Sequence, residues 1–391
     1  MFQKMASNLI QWCTQAAWQI ALCSWFVLTI FSCGCSGKKA VDSAEVLDVP
    51  SAENGQVEMS AVDDAVALVL ESAGAVLQRS KENRVIAADL RATDMDDELL
   101  TSLASLSELT KLTMPQCTAS DAGWQQLAKL TKLQHLDLRD CSVNNQQLIL
   151  VCSQNPRLRS LRLNGKTGAT TVDDDGLAGL GKCDQLVLLA VDGLWISEVG
   201  LAKLAAPEEL QELYLAQTLV EDLALQDIAK MKSLRKLRLA GTGVSDAGIG
   251  LLETLPLEEL DLSECSKLSD EVMASIGKMT SLKRLNLWRN AITDEGVAHL
   301  SALTNMEWLN LDNTRLSDSG MPALASMKKC TFMHLGSTGI TDQGLLHLYG
   351  IKSLKDLKVT RTAVTEQGAQ GVRDAIPGVA VQLKYVESPE A

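Results

Sequence analysis

The sequence predicts an α/β solenoid in which one short strand and one short helix recur along most of the chain. The pattern L-x-x-L-x-L, typical of a strand that inserts its leucines into a core, recurs throughout this region. An acidic residue after Ser or Thr returns with a period of 24, at Asp246, Asp270, Asp294, Asp318 and Asp342. Extending that step in both directions, across one interval of 29, gives twelve repeats over residues 84–376. Because one such unit cannot bury its apolar face alone, stacked neighbours must form the core.

The first 36 residues predict a signal peptide or a membrane anchor. Residues 5–37 carry no charged side chain and follow a single lysine, Lys4, an arrangement typical of secretory signals. The segment Ile30-Phe31-Ser32-Cys33 resembles a bacterial lipobox, whose cysteine receives diacylglycerol, and Cys35 offers a second register. A retained transmembrane helix is the alternative, because the charge-free run is long enough to span a bilayer.

A linker and a cap are predicted between this segment and the repeats. Residues 37–60 predict a flexible linker, because they are rich in Ser, Ala, Glu and Asp and show no apolar period. Residues 61–83 predict an N-terminal cap, with an amphipathic helix over 61–77 followed by a hairpin around residues 81–83. Such a cap is needed because the end of a solenoid otherwise exposes leucine-rich surface.

The sequence also predicts how the repeat array ends and where one insertion interrupts its period. Residues 377–391 predict a C-terminal cap and tail, because Pro377 ends the last helix and residues 379–383 alternate like a closing strand. The 29-residue interval places an insertion within residues 164–171, at the turn that leaves the fourth strand. Such a loop can carry specificity, but we favour a tolerated insertion.

Each repeat continues from its strand into a polar turn and a helix. The turns are closed by small polar side chains that we expect to form a ladder between repeats: Thr93, Cys117, Cys141, Thr218, Thr242, Cys265, Asn290, Thr314, Thr338 and Thr362. The motif [S/T]-[D/E]-x-G follows, and its hydroxyl and carboxylate predict a helix N-cap and a charge at the positive end of the helix dipole. Calcium binding by the acidic residues is the alternative, and we favour capping because the glycine-rich pattern of calcium-binding β-rolls is missing.

These motifs give the repeats a family resemblance. The pattern L-x-x-L-x-L-x-x-[T/C/N]-x-[I/V]-[T/S]-D-x-G-L resembles the cysteine-containing subtype of leucine-rich repeat, and it covers about three quarters of the chain. The resemblance implies a curved horseshoe with a parallel β-sheet on the concave face and short helices on the convex face. It also implies a protein-binding scaffold. Some members are substrate receptors of ubiquitin ligases, a role that requires an F-box, and we expect none ahead of these repeats.

Composition and motifs argue against several other classes of function. The net charge of −13 disfavours nucleic acid and unaided binding to an anionic membrane surface. No cysteine shows zinc-ligand spacing, and no catalytic or phosphate-binding motif is present in the sequence, so we expect no metal, no cofactor and no catalysis. Cys117 and Cys141 stand one repeat apart, where a disulfide is conceivable, but reduced structural thiols are expected.

A cluster of aromatic and polar residues is predicted on the concave face. Arg284, Trp308 and Phe332 occupy the same strand position in consecutive repeats, so they should stand side by side at the strand spacing of about 4.8 Å. The candidate partner-binding residues are Arg284, Trp288, Trp308, Phe332, Asn286, Asn310, His334 and Tyr214. Such a composition is typical of binding hot spots. The alternative is that the rings contact only one another or Arg284.

Together these observations predict a non-catalytic protein-interaction scaffold tethered to the cell envelope. The N-terminal lipid or helix would hold it at a membrane, and the concave face would bind a protein partner. One alternative is a structural or sensory spacer within an envelope assembly. Another is an adaptor similar to the substrate receptors of ubiquitin ligases.

Overall fold

The computed structural model describes residues 53–91, 93, 96–204 and 208–384. The predicted lipidation sites, Cys33 and Cys35, and the start of the predicted linker lie outside these residues. The chain divides into two units, Met1–Ser72 and Ala73–Ala391, and each is considered by itself. In the described part of the chain, no helix combines the length and the apolar character needed to cross a membrane.

The first unit contains helix α1, Glu53–Ser72. The helix starts earlier than the sequence predicts, so residues 53–60 are helical and do not belong to a flexible linker. A formed helix extends at small cost per residue, which explains why a segment without apolar periodicity joins it. The helix also ends earlier than predicted, because Gly74 adopts a left-handed conformation with φ of 99° and redirects the chain.

The second unit is one open sheet with its strands in sequence order. Its described strands are β1 Val76–Arg79, β2 Val85–Asp89, β3 Lys111–Thr113, β4 His135–Asp137, β5 Ser160–Asn164, β6 Leu188–Asp192, β7 Glu212–Tyr214, β8 Lys236–Arg238, β9 Glu259–Asp261, β10 Arg284–Asn286, β11 Trp308–Asn310, β12 Phe332–His334, β13 Asp356–Lys358 and β14 Ala380–Gln382. The predicted hairpin is present as the antiparallel pair β1–β2, and every later pair is parallel. The predicted closing strand is present as β14, which pairs with β13.

Short helices alternate with the strands, as the solenoid prediction requires. The described α-helices are α2 Asp97–Leu103, α3 Asp121–Leu127, α4 Asn145–Gln154, α5 Glu198–Leu201, α6 Asp222–Ile228, α7 Asp246–Gly250, α8 Glu271–Ile276, α9 Asp294–Ala298, α10 Asp342–Leu345 and α11 Glu366–Ala375. Segments Gly176–Leu180, His299–Ala302, Met321–Ser326 and Leu346–Leu348 are 3₁₀ helices. The sheet lines the inner, concave face and the helices lie outside it, so the leucines between them form one continuous aliphatic core.

The polar turn residues bond in two different ways. Five threonines close their own turns through the carbonyl oxygen three residues back, as when Thr242 Oγ1 donates to Leu239 at 2.6 Å: Thr218, Thr242, Thr314, Thr338 and Thr362. Cysteine and asparagine reach the preceding repeat instead, since Cys141 Sγ donates to the Met114 carbonyl at 2.9 Å and Asn290 Nδ2 to the Leu262 carbonyl at 2.8 Å. The predicted ladder between repeats is therefore formed mainly by cysteine and asparagine, and Thr242 joins it where its Oγ1 lies 4.0 Å from Cys265 Sγ.

The [S/T]-[D/E]-x-G motif joins neighbouring repeats. Asp270 accepts hydrogen bonds from Thr293 in the next repeat, from its N–H at 2.8 Å and its Oγ1 at 2.5 Å. The same pair of bonds joins seven other aspartates to the Ser or Thr 23 residues later: Asp97, Asp174, Asp222, Asp246, Asp294, Asp318 and Asp342.

The glycine of the motif makes room for this carboxylate. A Cβ placed on Gly296 would collide with Asp270 Oδ1 and lie 3.0 Å from Ile292 Cγ2. The hydroxyl also caps its own helix, since Thr293 accepts from the Glu295 N–H. The expected capping role is thus present for the hydroxyl, whereas the aspartate chiefly bonds to the following repeat.

The six cysteines of the described residues are free and buried. Cys117 and Cys141 are not joined, and the Cys117 N–H lies 3.4 Å from Cys141 Sγ. Burial raises the pKa of the Cys141 and Cys330 thiols to about 12. These side chains therefore serve as small apolar groups and weak hydrogen-bond donors, as expected for structural thiols.

Candidate functional site

Four consecutive strands, β10 to β13, build the surface that the sequence singles out. Their parallel register pairs Arg284 with Trp308, Trp308 with Phe332, and Phe332 with Asp356. The leucines between these positions, such as Leu285 and Leu309, are completely buried in the core. Alternation along each strand therefore holds the intervening side chains on the inner face, and the predicted juxtaposition of Arg284, Trp308 and Phe332 is confirmed.

The two rings form a stack with a cation at each end. The ring planes of Trp308 and Phe332 are nearly parallel, with ring centroids 5.1 Å apart and an interplanar angle of 6°. The Arg284 guanidinium lies 4.8 Å from the Trp308 ring centroid, and Lys358 Nζ lies 5.5 Å from that of Phe332. We call these four residues the aromatic stack. The rings do contact one another and Arg284, as the alternative interpretation held, yet both remain only half-buried.

Asn286 and Asn310 form a second row beside the stack. The Asn310 Oδ1 accepts a hydrogen bond from the Asp312 N–H at 2.9 Å, and Asn286 Oδ1 accepts one from Trp288 at 3.2 Å. Each side chain thereby closes the turn that leaves its strand, an arrangement typical of Asx turns. The oxygens are used by the fold, while the amide N–H groups can still donate to a partner.

His334 continues the same row and contacts the stack. Its ring meets Phe332 edge-on, with centroids 6.5 Å apart and an angle of 76°. Burial, reinforced by Lys358, lowers the pKa of His334, although Asp312 lies 3.8 Å from its Nε2 and opposes the shift. The imidazole is therefore neutral at pH 7, with one nitrogen that donates and one that accepts.

Trp288 and Tyr214 do not take part in the ring contacts of the stack. Trp288 follows strand β10, and the Arg289 guanidinium lies 5.2 Å from its ring centroid. Tyr214 is on β7, where its hydroxyl donates to Glu212 at 2.8 Å, and burial together with this carboxylate raises its pKa. A groove of about 230 Å³ runs along the sheet from Tyr214 to Trp308 and connects the tyrosine with the aromatic stack.

A larger groove lies on the front half of the inner face, and the sequence interpretation missed it. It measures about 660 Å³, and its lining includes Lys111, His135, Arg159 and Arg162. Burial lowers the pKa of His135, and the charges of Lys111 and Arg159 lower it further. Lys111 and His135 occupy the strand position of the aromatic stack, and Arg162 occupies the position of Asn286, so this periodicity was the available signal. Within the described residues, no group of three His, Cys, Asp or Glu side chains is placed to hold a metal ion.

Comparisons with known proteins identify the architecture. The family model described as Leucine Rich repeat matches residues 278–301, and no curated protein matches the chain. An internalin from Listeria monocytogenes is similar in structure, with a TM-score of 0.54, 18% sequence identity, and 83% of this chain and 88% of that chain covered. A chain of the yeast Rad7 and Elc1 complex gives a TM-score of 0.58 at 18% identity, covering 86% of this chain and 91% of that chain. The repeat pattern, the sheet and these similarities show that the chain folds as a leucine-rich-repeat protein.

Proposed function

We propose that this chain is a non-catalytic scaffold that binds a protein partner on its concave face. The half-exposed aromatic stack is the observation that carries the proposal, because Trp, Arg and other large side chains dominate binding hot spots. The similarly folded chain of the yeast Rad7 and Elc1 complex is part of a protein–protein complex, and this supports the proposal.

The rigidity of the stack favours tight binding. Trp308 is held between Arg284 and Phe332, and the backbone of its strand is hydrogen-bonded to both neighbouring strands. Side chains that are already ordered lose little conformational freedom when a partner docks. The stack can thus offer apolar area and two cations, and the free amide groups of Asn286 and Asn310 add directional hydrogen bonds.

Site-specific photo-crosslinking in intact cells tests this function. A photoreactive residue at Asn310, on the inner face, should capture one discrete protein, because Asn310 lies directly beside Trp308 in the second row. The same residue at Glu295, exposed on α9, is the matched control and should not capture that protein. Capture only of envelope components, equally from both positions, would favour the spacer function and contradict a dedicated binding face.

We further propose that the N-terminal segment tethers the repeats to the cell envelope. The support is the sequence alone: a charge-free run that ends at two cysteines, Cys33 and Cys35. Intact-mass analysis of the full chain purified from membranes should show loss of the first 32 or 34 residues and the addition of acyl groups. An unprocessed mass would show that the segment is retained and not lipidated.

A further inference from the structure

A second exposed surface lies outside the concave face, in the two repeats that follow the insertion. It consists of Trp195, Val199, Leu219 and Leu223, whose exposed fractions are 77%, 56%, 59% and 60%. Trp195 and Leu219 are 24 residues apart at the same repeat position, and so are Val199 and Leu223. Stacking of the repeats therefore sets the four side chains in a two-by-two array, which we call the edge patch.

The other repeats show that the fold does not require apolar residues here. At the position of Trp195 and Leu219, the six following repeats carry Gly243, Lys267, Ala291, Arg315, Gly339 and Ala363. At the position of Val199 and Leu223, they carry Ala247, Glu271, Glu295, Ser319, Gln343 and Gln367. Small or polar residues thus suffice for the same backbone. A contiguous exposed apolar array confined to two repeats marks an interaction site rather than a structural need.

A cavity adjoins the edge patch at Trp195. It measures about 330 Å³ and is lined by the insertion turn, by Gly193 and by Asp173, whose backbone forms a bridge with that of Trp195. The Asp173 Oδ1 accepts from Asn145 Nδ2 at 2.7 Å and from the Asp175 N–H at 2.9 Å. Its Oδ2 accepts no hydrogen bond from the described part of the chain. One carboxylate oxygen is therefore available beside an open indole ring.

The charges around the edge patch are predominantly acidic, although Lys166 lies in the insertion turn. Asp175 and Glu221 are paired with Lys203 at 2.6 Å and with Lys267 at 2.9 Å. Four further carboxylates form no ion pair with any lysine or arginine of the described residues: Asp173, Asp174, Glu198 and Asp222. An anionic membrane surface would be repelled by this arrangement, whereas a cationic segment would be attracted.

We propose that the edge patch docks an amphipathic, basic segment of a partner protein. Aliphatic side chains of that segment cover Leu219, Leu223 and Val199. An arginine or lysine enters the cavity, where it lies against the Trp195 ring and pairs with Asp173 Oδ2, so that cation–π attraction and a charge-assisted bond act together. This site is separate from the concave face, and neither proposal depends on the other.

Fluorine NMR of the full chain labelled with 5-fluorotryptophan tests this docking site. The probe is a synthetic amphipathic helical peptide of leucine and arginine, about 18 residues long. The Trp195 resonance, assigned with Trp195→Phe, should shift saturably on titration. The resonances of Trp308 on the concave face and of buried Trp124 should not move. A control peptide with every arginine replaced by glutamate should leave all of them unchanged.

Variants separate the apolar and the charged contributions. Asp173→Asn keeps the Oδ1 acceptor but removes the charge, and should weaken peptide binding about tenfold, whereas Glu295→Gln should not. Leu219→Ser should abolish the Trp195 shift. Leu346 lies outside the edge patch and is 50% exposed, so Leu346→Ser should leave the shift intact.

Several outcomes would overturn the inference. The inference is wrong if the Trp195 resonance does not shift, if it responds equally to the glutamate peptide, or if the Trp308 resonance shifts in its place. A shift with phosphatidylcholine vesicles but not with the peptide would assign the patch to a lipid surface. A shift that depends on protein concentration alone would assign it to a second copy of the chain.

Discussion

Asp270→Ala should lower the free energy of unfolding by about 3 kcal/mol, because it removes two hydrogen bonds to a charged group at a contact between repeats. The Asp270 carboxylate accepts from the Thr293 N–H at 2.8 Å and from Thr293 Oγ1 at 2.5 Å, so its loss leaves two donors without their partner. Denaturant unfolding followed by circular dichroism measures the change. Glu271→Ala is the matched control, because Glu271 is the exposed next residue and its side chain forms no hydrogen bond within the described residues.

A double-mutant cycle with Gly296 tests the geometry of this contact. Gly296→Ala alone should cost about 2–3 kcal/mol, because its Cβ collides with the Asp270 carboxylate. In the Asp270→Ala background that collision is relieved. The double variant should therefore be destabilised by clearly less than the sum of the two single-variant effects. Full additivity, or an Asp270→Ala effect no larger than that of Glu271→Ala, would contradict the cross-repeat role.

Trp308→Ala should weaken binding of the partner captured at Asn310 by about 30-fold or more, the loss expected for a hot-spot tryptophan. The ring supplies the centre of the aromatic stack, and its removal also frees Arg284 and Phe332 to move. The free energy of unfolding should fall by only about 1 kcal/mol, from lost stacking, because the buried Leu309 beneath the ring remains in place. Surface plasmon resonance and thermal unfolding measure the two quantities.

Trp195→Ala is the control for this binding prediction. It removes an exposed tryptophan from a different surface and should leave the affinity for the concave-face partner unchanged. If Trp308→Ala binds as tightly as the unaltered protein, the aromatic stack serves the fold and does not bind the partner.

The repeat period accounts for most of what the sequence could predict. Because adjacent parallel strands are 23–28 residues apart and pair in register, the spacing alone placed Arg284, Trp308 and Phe332 side by side. The front hairpin and the closing strand followed from alternation of apolar residues, which is a local signal. The start of α1 could not be predicted in this way, because residues 53–60 are helical without a periodic pattern of apolar residues.

Contacts between repeats were harder to predict. The Ser/Thr-Asp-x-Gly motif suggests a cap within one helix, but the Asp270 carboxylate bonds to Thr293 in the next repeat. A pattern identical in every unit cannot show whether its members bond within a unit or across to the next. The edge patch was missed for the opposite reason. Trp195 and Leu219 stand out only when each position is compared down the repeats, because each alone is an ordinary surface residue.

Hydroxyl-radical footprinting of the full chain, with and without the partner captured at Asn310, tests the central claim most directly. This measurement reports the solvent exposure of individual side chains. Binding on the concave face should reduce oxidation of Trp308, Phe332 and Trp288 several-fold, and leave the exposed leucines Leu251 and Leu346 unchanged. Unchanged oxidation of the three aromatic residues, with protection only at the leucines, would contradict a concave binding face.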